Sequence, residues 1–271
     1  MKASLALRYI LLIAASVVFV FPLYWMVTGS VKPAVSLWQV PPDWFPQTFD
    51  LTQYRTLLDK QPALRWLFNS LFVGVVSVFF ILLFCSLAGY AYAKKRFRGR
   101  HVLFFVIIAT MMMPRQVTLV PLYLLVSDLG LLDTYAGLIL PVIAYPFGVF
   151  LIRQFVSYIP DELLNAAKVD GAGEIRIFAQ IVVPLILPAL GALAIFSFMY
   201  IWNDYMWQLV VLTSDNMKTL PLGVSGLVNR EMSVNYGVAM AGGTFAALPL
   251  IVFFLLFQRS FIRGITLGSD K

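Results

Sequence analysis

Apolar residues arrive along this chain in long blocks separated by short polar stretches. Six blocks reach the length of a bilayer crossing, at roughly 8–28, 67–92, 103–126, 134–155, 184–212 and 238–260. A hydrocarbon layer about 30 Å thick takes ~20 apolar residues as helix. Blocks such as Leu71-Phe72-Val73-Gly74-Val75-Val76 do not alternate, so they lack the period of barrel strands. Backbone groups in lipid must be satisfied within their own segment, and the pattern predicts an all-α polytopic membrane protein of six spans. The whole chain, 1–271, reads as a single transmembrane domain.

Composition strengthens this picture. The 271 residues are 61% hydrophobic and only 12% charged, and mean hydropathy is +0.86. Soluble domains carry about a quarter charged residues. The net charge of +7 points to membrane topology rather than nucleic acid, because the basic residues sit at block ends. With the N-terminus inside, thirteen Lys and Arg fall in the cytoplasm, including the run Lys94-Lys95-Arg96 with Arg98 and Arg100. Six fall outside, and Arg115 stays within a span. Both termini are therefore expected to be cytoplasmic. Block 8–28 is longer than the apolar core of a signal peptide and reads as an uncleaved first span. Cys85 and His101 are the only cysteine and histidine, which argues against a zinc or other metal site.

Three connections are long: two outer loops, about 30–65 and 214–236, and one cytoplasmic segment, about 157–183. The last begins Ile159-Pro160-Asp161-Glu162, a helix start with fixed φ and early negative charge. Asp170-Gly171 reads as its stop. A second helix, from about Glu174 to Val183, leads back into lipid. The small surface of Ala166, Ala167, Gly171 and Ala172 suits a docking helix for a soluble partner; an amphipathic helix on the inner leaflet is the alternative.

The string NAAKVDGAGEIRIFAQIVVP, 165–184, resembles the cytoplasmic signature of ATP-binding-cassette (ABC) importer permeases, where it forms the helix that seats in an ATPase cleft. Ala166, Ala167, Asp170, Gly171, Ala172, Phe178 and Pro184 match, while Asn165 stands where the family usually has Glu. Leu129 to Leu138, Phe147 to Phe155, Trp202-Asn203-Asp204-Tyr205 and Thr219 to Gly223 are similar to the carbohydrate branch, the maltose-type permeases. The resemblance implies a type I importer fold in the cell (inner) membrane. It implies a second permease as heterodimer partner, two cytoplasmic ATPase subunits and an extracytoplasmic solute-binding protein. No cofactor is expected in this chain, since ATP and magnesium would be bound by the ATPases. The chain holds no phosphate-cradling G-x-x-x-x-G-K-[ST] loop and no catalytic constellation, so it reads as a conduit and not an enzyme.

The ATPase-coupling residues are then Asn165, Ala166, Ala167, Asp170, Gly171 and Ala172. Polar groups inside spans are costly, which makes Trp202, Asn203, Asp204, Tyr205 and Arg115 candidates for the substrate pathway. An aromatic belt is the alternative for the first four. Arg115 follows Pro114, and either lines the cavity, pairs with a carboxylate such as Asp204, or marks a broken helix facing a partner subunit. Two other functions remain open at this point: import of glycerol-3-phosphate or a related polyol phosphate, and ion-coupled secondary transport.

Overall fold

The computed structural model describes residues 2–229 and 235–266, with side chains for 6–227 and 235–255. The described residues form helices and turns without strands. The helices are α1 (Lys2–Ser30), α2 (Thr52–Lys60), α3 (Ala63–Lys94), α4 (Arg100–Met111), α5 (Arg115–Asp128), α6 (Tyr135–Ile143) and α7 (Pro146–Ser157). They continue with α8 (Asp161–Val169), α9 (Glu174–Leu185), α10 (Leu187–Trp202), α11 (Met206–Val211), α12 (Leu220–Asn229) and α13 (Tyr236–Thr266).

Three helices are long and apolar enough to cross a membrane unbroken: α1 over Ala6–Ser30, α3, and α13 over Tyr236–Leu255. The other three blocks are each split into a bent pair. α4 and α5 meet at 103°, α6 and α7 at 42°, and α9 and α10 at 76°. Blocks 103–126, 134–155 and 184–212 are therefore not straight crossings, and the third starts earlier, at Glu174, and is interrupted again after Trp202. Each break has a proline beside it. Pro114 precedes α5 in an extended conformation, Pro146 opens α7, and Pro188 follows the α9–α10 bend. A proline lacks the N–H that would continue the ladder and fixes φ for a new start. A π-helical turn over Phe178–Val182 adds a further irregularity inside α9.

The helices group into two compact units. One comprises the chain up to Phe68 with Lys218–Ile251; the other comprises Asn69–Met217 and the chain from Val252 onward. In the first, α1 carries its apolar side chains outward from Ala6 to Leu23, as a lipid-facing helix does. The small residues of α13 bring its neighbours close. A Cβ on Gly243 would lie 2.8 Å from Met26 Sδ on α1, and one on Gly242 would lie 3.1 Å from Leu227 on α12. In the connection at 30–65 a 3-10 turn spans Ala34–Trp38. Trp38 packs edge-on against Tyr236 with centroids 5.0 Å apart, and buried Lys32 donates to the Asp43 carbonyl. The loop at 214–236 folds partly as α12; residues 230–234 lie outside the described residues, as does the polar tail 267–271.

The second unit is packed through small residues on α3 and α7. A Cβ on Gly89 would come within 2.9 Å of the Arg153 backbone nitrogen on α7, and one on Gly148 within 2.6 Å of Cys85 Sγ. Asn69, fully buried, accepts from the Tyr135 hydroxyl at 2.6 Å and donates to the Asn216 carbonyl at 2.8 Å. It is thus a structural polar hub. Asp133, at φ 56°, accepts from the amides of Thr213 (3.0 Å) and Ser214 (3.1 Å). Partial burial alone would raise its carboxyl, but the Ser214 and Thr213 hydrogen bonds outweigh that and hold it below the usual carboxylate range.

Gly89→Leu should overpack the α3–α7 contact, where the β-branched Ile152 side chain and the Arg153 backbone nitrogen stand in the way. The expected loss is about 1–3 kcal/mol, read as a lower melting temperature of the detergent-solubilised protein. Gly173→Ala, whose Cβ meets nothing within 4 Å, should stay within about 0.5 kcal/mol of wild type.

Candidate functional sites: a helical elbow and an aromatic cleft

The elbow is α8, a glycine turn and the start of α9. Asp161 and Glu162 occupy the first turn of α8, and Lys168 the last, each favoured by the helix dipole. The turn is a complete Schellman motif. The Ala172 amide donates to the Ala167 carbonyl at 2.9 Å and the Gly171 amide to that of Lys168 at 3.0 Å. Gly171 takes φ +79° with nothing within 4 Å of where a Cβ would be. Glycine is needed there for its backbone, not for space.

Leu164 and Ala167 are buried on the inner face of α8. Ala167 is thus a packing residue that seats the helix, unlike Asn165, Ala166, Asp170 and Gly171, which are exposed; Ala172 is half-buried. The most exposed apolar side chains of the elbow are Val169 at 87% and Ile175 at 85%. Ile175 was not among the residues that the sequence motif singled out.

Two lysines at the end of α3 hold the elbow. Lys94 Nζ donates to the Ile159 carbonyl at 2.6 Å and to the Asp161 carboxylate at 2.7 Å. Lys95 pairs with Glu174 at the start of α9, which also accepts from the Tyr90 hydroxyl at 3.1 Å. In the sequence these lysines read only as a topology signal, since nothing in it brings α3 to positions 159–174. The Lys94 ammonium holds the exposed Asp161 carboxyl below its ordinary value.

The cleft lies in the second unit, where the broken helices meet. It measures about 480 Å³ and is lined by residues flanking the α4–α5 and α6–α7 breaks (Met111, Met113 and Arg115; Tyr145, Pro146 and Phe147) and by Tyr200 and Trp207 on either side of the end of α10. The Tyr145 and Tyr200 rings lie 5.5 Å apart, and Arg115 stands over Tyr200 at 4.7 Å. Arg115 Nη2 donates to Asp204 Oδ2 at 2.9 Å; the arginine side chain is 50% exposed and the aspartate 7%. Arg115 thus sits at a helix break, on the cleft wall and paired with Asp204. A smaller pocket of about 150 Å³ shares Arg115, Asp204 and Trp207.

The Trp202-Asn203-Asp204-Tyr205 string is divided by the end of α10. Asp204 faces Arg115, and its other oxygen accepts from the Trp207 amide at 3.4 Å. Trp202 is 3% exposed and packs on Phe198 at 5.5 Å, so within this chain it is a core residue and does not line the cleft. Asn203 donates to the Met199 carbonyl at 2.8 Å, closing the helix end, and Tyr205 precedes α11, partly exposed. The aromatic lining comes instead from Tyr145, Phe147, Tyr200 and Trp207. No group of three metal-ligating side chains occurs among the described residues.

A multi-pass helical membrane protein with broken spans and an exposed elbow is built as a permease. Residues 81–267 match the family described as binding-protein-dependent transport system inner membrane component, and the chain belongs to that family. It is 37% identical to the arabinooligosaccharides transport system permease protein AraQ of Bacillus subtilis, covering 100% of this chain and 96% of that one. It is 32% identical to the sn-glycerol-3-phosphate transport system permease protein UgpE of Shigella flexneri, covering 96% and 95%. Its fold matches a chain in the crystal structure of a bacterial ABC transporter involved in import of the acidic polysaccharide alginate. That match has a TM-score of 0.88 at 24% identity, over 96% of this chain and 97% of the other.

Because the folded-state value of Asp161 is depressed, the Lys94 bridge is complete above the ordinary carboxylate value, near pH 4, and is lost as pH falls through the depressed one. Amide protection across 161–169, taken relative to the intrinsic exchange rate at each pH, should fall over that acid window. Asp161→Asn should remove this pH dependence of the protection, and Lys94→Met should lower protection at neutral pH.

Proposed function

We propose that this chain is the transmembrane permease subunit of an ATP-driven sugar importer, forming half of the translocation pathway. Both termini and the elbow lie in the cytoplasm, in keeping with the surplus of Lys and Arg assigned to that side. Its partners are a second permease, two cytoplasmic ATPase subunits that bind ATP and magnesium, and an extracytoplasmic solute-binding protein. The observation that carries this reading is the end-to-end similarity to a sugar permease, joined to an elbow whose most exposed side chains are apolar.

The mechanism follows from the geometry. Val169 and Ile175 enter a groove of the ATPase, and the small residues Ala166 and Gly171 with Asn165 allow close approach of its surface. When ATP binding closes the two ATPases, α8 is displaced. Lys94 and Lys95 pass that displacement to α3, and α9 passes it along the chain to α10, whose end carries Tyr200 and precedes Asp204. The cleft thereby changes its accessibility as a two-state packing switch. Ion-coupled transport would need a carboxylate free to exchange its ion, and Asp204, the intramembrane candidate, is committed to Arg115. Import of a polyol phosphate is the second reading, favoured by the likeness to UgpE.

A cysteine placed at Val169 should crosslink to a nucleotide-hydrolysing subunit in working membranes; the chain's own Cys85 is buried and will not compete. Gly171→Val forces a β-branched residue into a left-handed conformation that disfavours it by about 1–2 kcal/mol. Sugar uptake in reconstituted vesicles should fall while ATP hydrolysis continues. Absence of any crosslink, together with unchanged uptake in the glycine variant, would overturn the coupling role. Uptake assays with a neutral sugar and with glycerol-3-phosphate separate the two substrate readings.

A further inference from the structure

We infer that the cleft between Tyr145, Tyr200 and Trp207 is a saccharide subsite of this subunit, and that the Arg115–Asp204 pair makes it select uncharged sugar units over acidic ones. The inference rests on the sugar-importer reading and goes beyond it by naming the site and its rule of selection.

Three observations converge. The first is size and lining. About 480 Å³ lies within the range of small-molecule sites, roughly 300–1,000 Å³, and leaves room for one or two sugar rings. The aromatic groups present π faces to the apolar C–H faces of a sugar. The second is hydrogen-bonding capacity. Among the described residues no side chain or backbone group bonds to the Tyr145 or Tyr200 hydroxyl, although both tyrosines line the cleft. Each is a donor and an acceptor, as a sugar hydroxyl is. By contrast, Thr110 and Thr118 on the same wall are already bonded to carbonyls of their own helices, and Trp207 Nε1 is bonded to the Gly137 carbonyl. The tyrosine hydroxyls are thus open to a ligand.

The third observation is charge. Arg115 is the cationic side chain on the cleft wall, and by itself it would draw a carboxylate or phosphate. It is already taken: Asp204 meets it at 2.9 Å from a position that is nearly closed to solvent, while Tyr200 occupies one face of the guanidinium. The pair presents a neutral dipole to the cleft. An acidic sugar would bring a second carboxylate to a guanidinium already neutralised by Asp204, so it gains no net ion pair and meets like-charge repulsion unless Asp204 is displaced and left buried without its partner. A neutral sugar needs no such exchange, and can bond to the exposed guanidinium N–H groups alongside the two phenols.

The test uses the assembled complex in lipid nanodiscs without the solute-binding protein, with radiolabelled arabinotriose and trigalacturonate as probes in equilibrium dialysis. Wild type should bind arabinotriose more tightly than trigalacturonate. Asp204→Asn frees Arg115 and should shift the affinity ratio toward trigalacturonate by about tenfold or more, the scale of one charge-assisted hydrogen bond. The charge-neutral double variant Arg115→Gln with Asp204→Asn should restore the preference for arabinotriose. Tyr145→Phe and Tyr200→Phe should each weaken arabinotriose while leaving the complex assembled. Equal binding of both probes by wild type, no binding of either, or an unchanged ratio in Asp204→Asn would overturn the inference. In each case, co-purifying ATPase subunits with intact hydrolysis would leave the permease reading standing; their absence would sink that reading instead.

Discussion

A helix surrounded by hydrocarbon cannot leave a backbone N–H or C=O without a partner, and this constraint governs where the chain is regular and where it is not. α1, α3 and α13 obey it by running unbroken, with lipid-facing residues that need only be apolar. The three other spans break, and irregular backbone at membrane depth is tolerated where it lines a cavity or is covered by protein. Here the α4–α5 and α6–α7 breaks and the end of α10 at Trp202 contribute to one cleft. Polar backbone is concentrated at that place, and so are Arg115, Asp204 and the tyrosines.

The elbow is governed by a different balance. Its apolar tips, Val169 and Ile175, face outward, while its inner face is tied down by Leu164, Ala167 and two lysine bridges. Surface ion pairs contribute little to stability, but Lys94 is 10% exposed and also binds a backbone carbonyl. Its role is to fix geometry: α8 cannot pivot freely about Pro160 while that ammonium holds both the residue before the proline and the one after it.

Much of this was legible in the sequence because the relevant signals are local. Block length placed the membrane-length helices, and the Pro160-Asp161 start and Asp170-Gly171 stop gave α8 within a residue. The bends were not legible, because average hydropathy is insensitive to direction: Tyr145-Pro146 sits inside an apolar run, and Pro146 is as acceptable at a new helix start as Pro188 is. The cleft was only half visible. Arg115 and Asp204 stand out as charges in apolar blocks, and opposite charges in lipid are candidates to pair. Tyr145 and Tyr200 look like any aromatic residue in a buried helix, and only the convergence of three separate segments gives them a shared surface. Trp202 drew attention through its polar neighbours, yet α10 turns it toward Phe198, while Trp207, one short helix later, lines the cleft.

The grip of Lys94 on the elbow has a mechanical corollary. At 1.5 Å of rise per residue, the stretch of α3 from Lys94 back to Asn69 is a rod of about 38 Å. Asn69 at its other end bridges Tyr135 and Asn216. Were the rod to tilt by about 5°, simple trigonometry on that length would carry Asn69 some ~3 Å, enough to break both of those hydrogen bonds. A single buried asparagine would then act as a latch at the far end of a lever worked from Lys94.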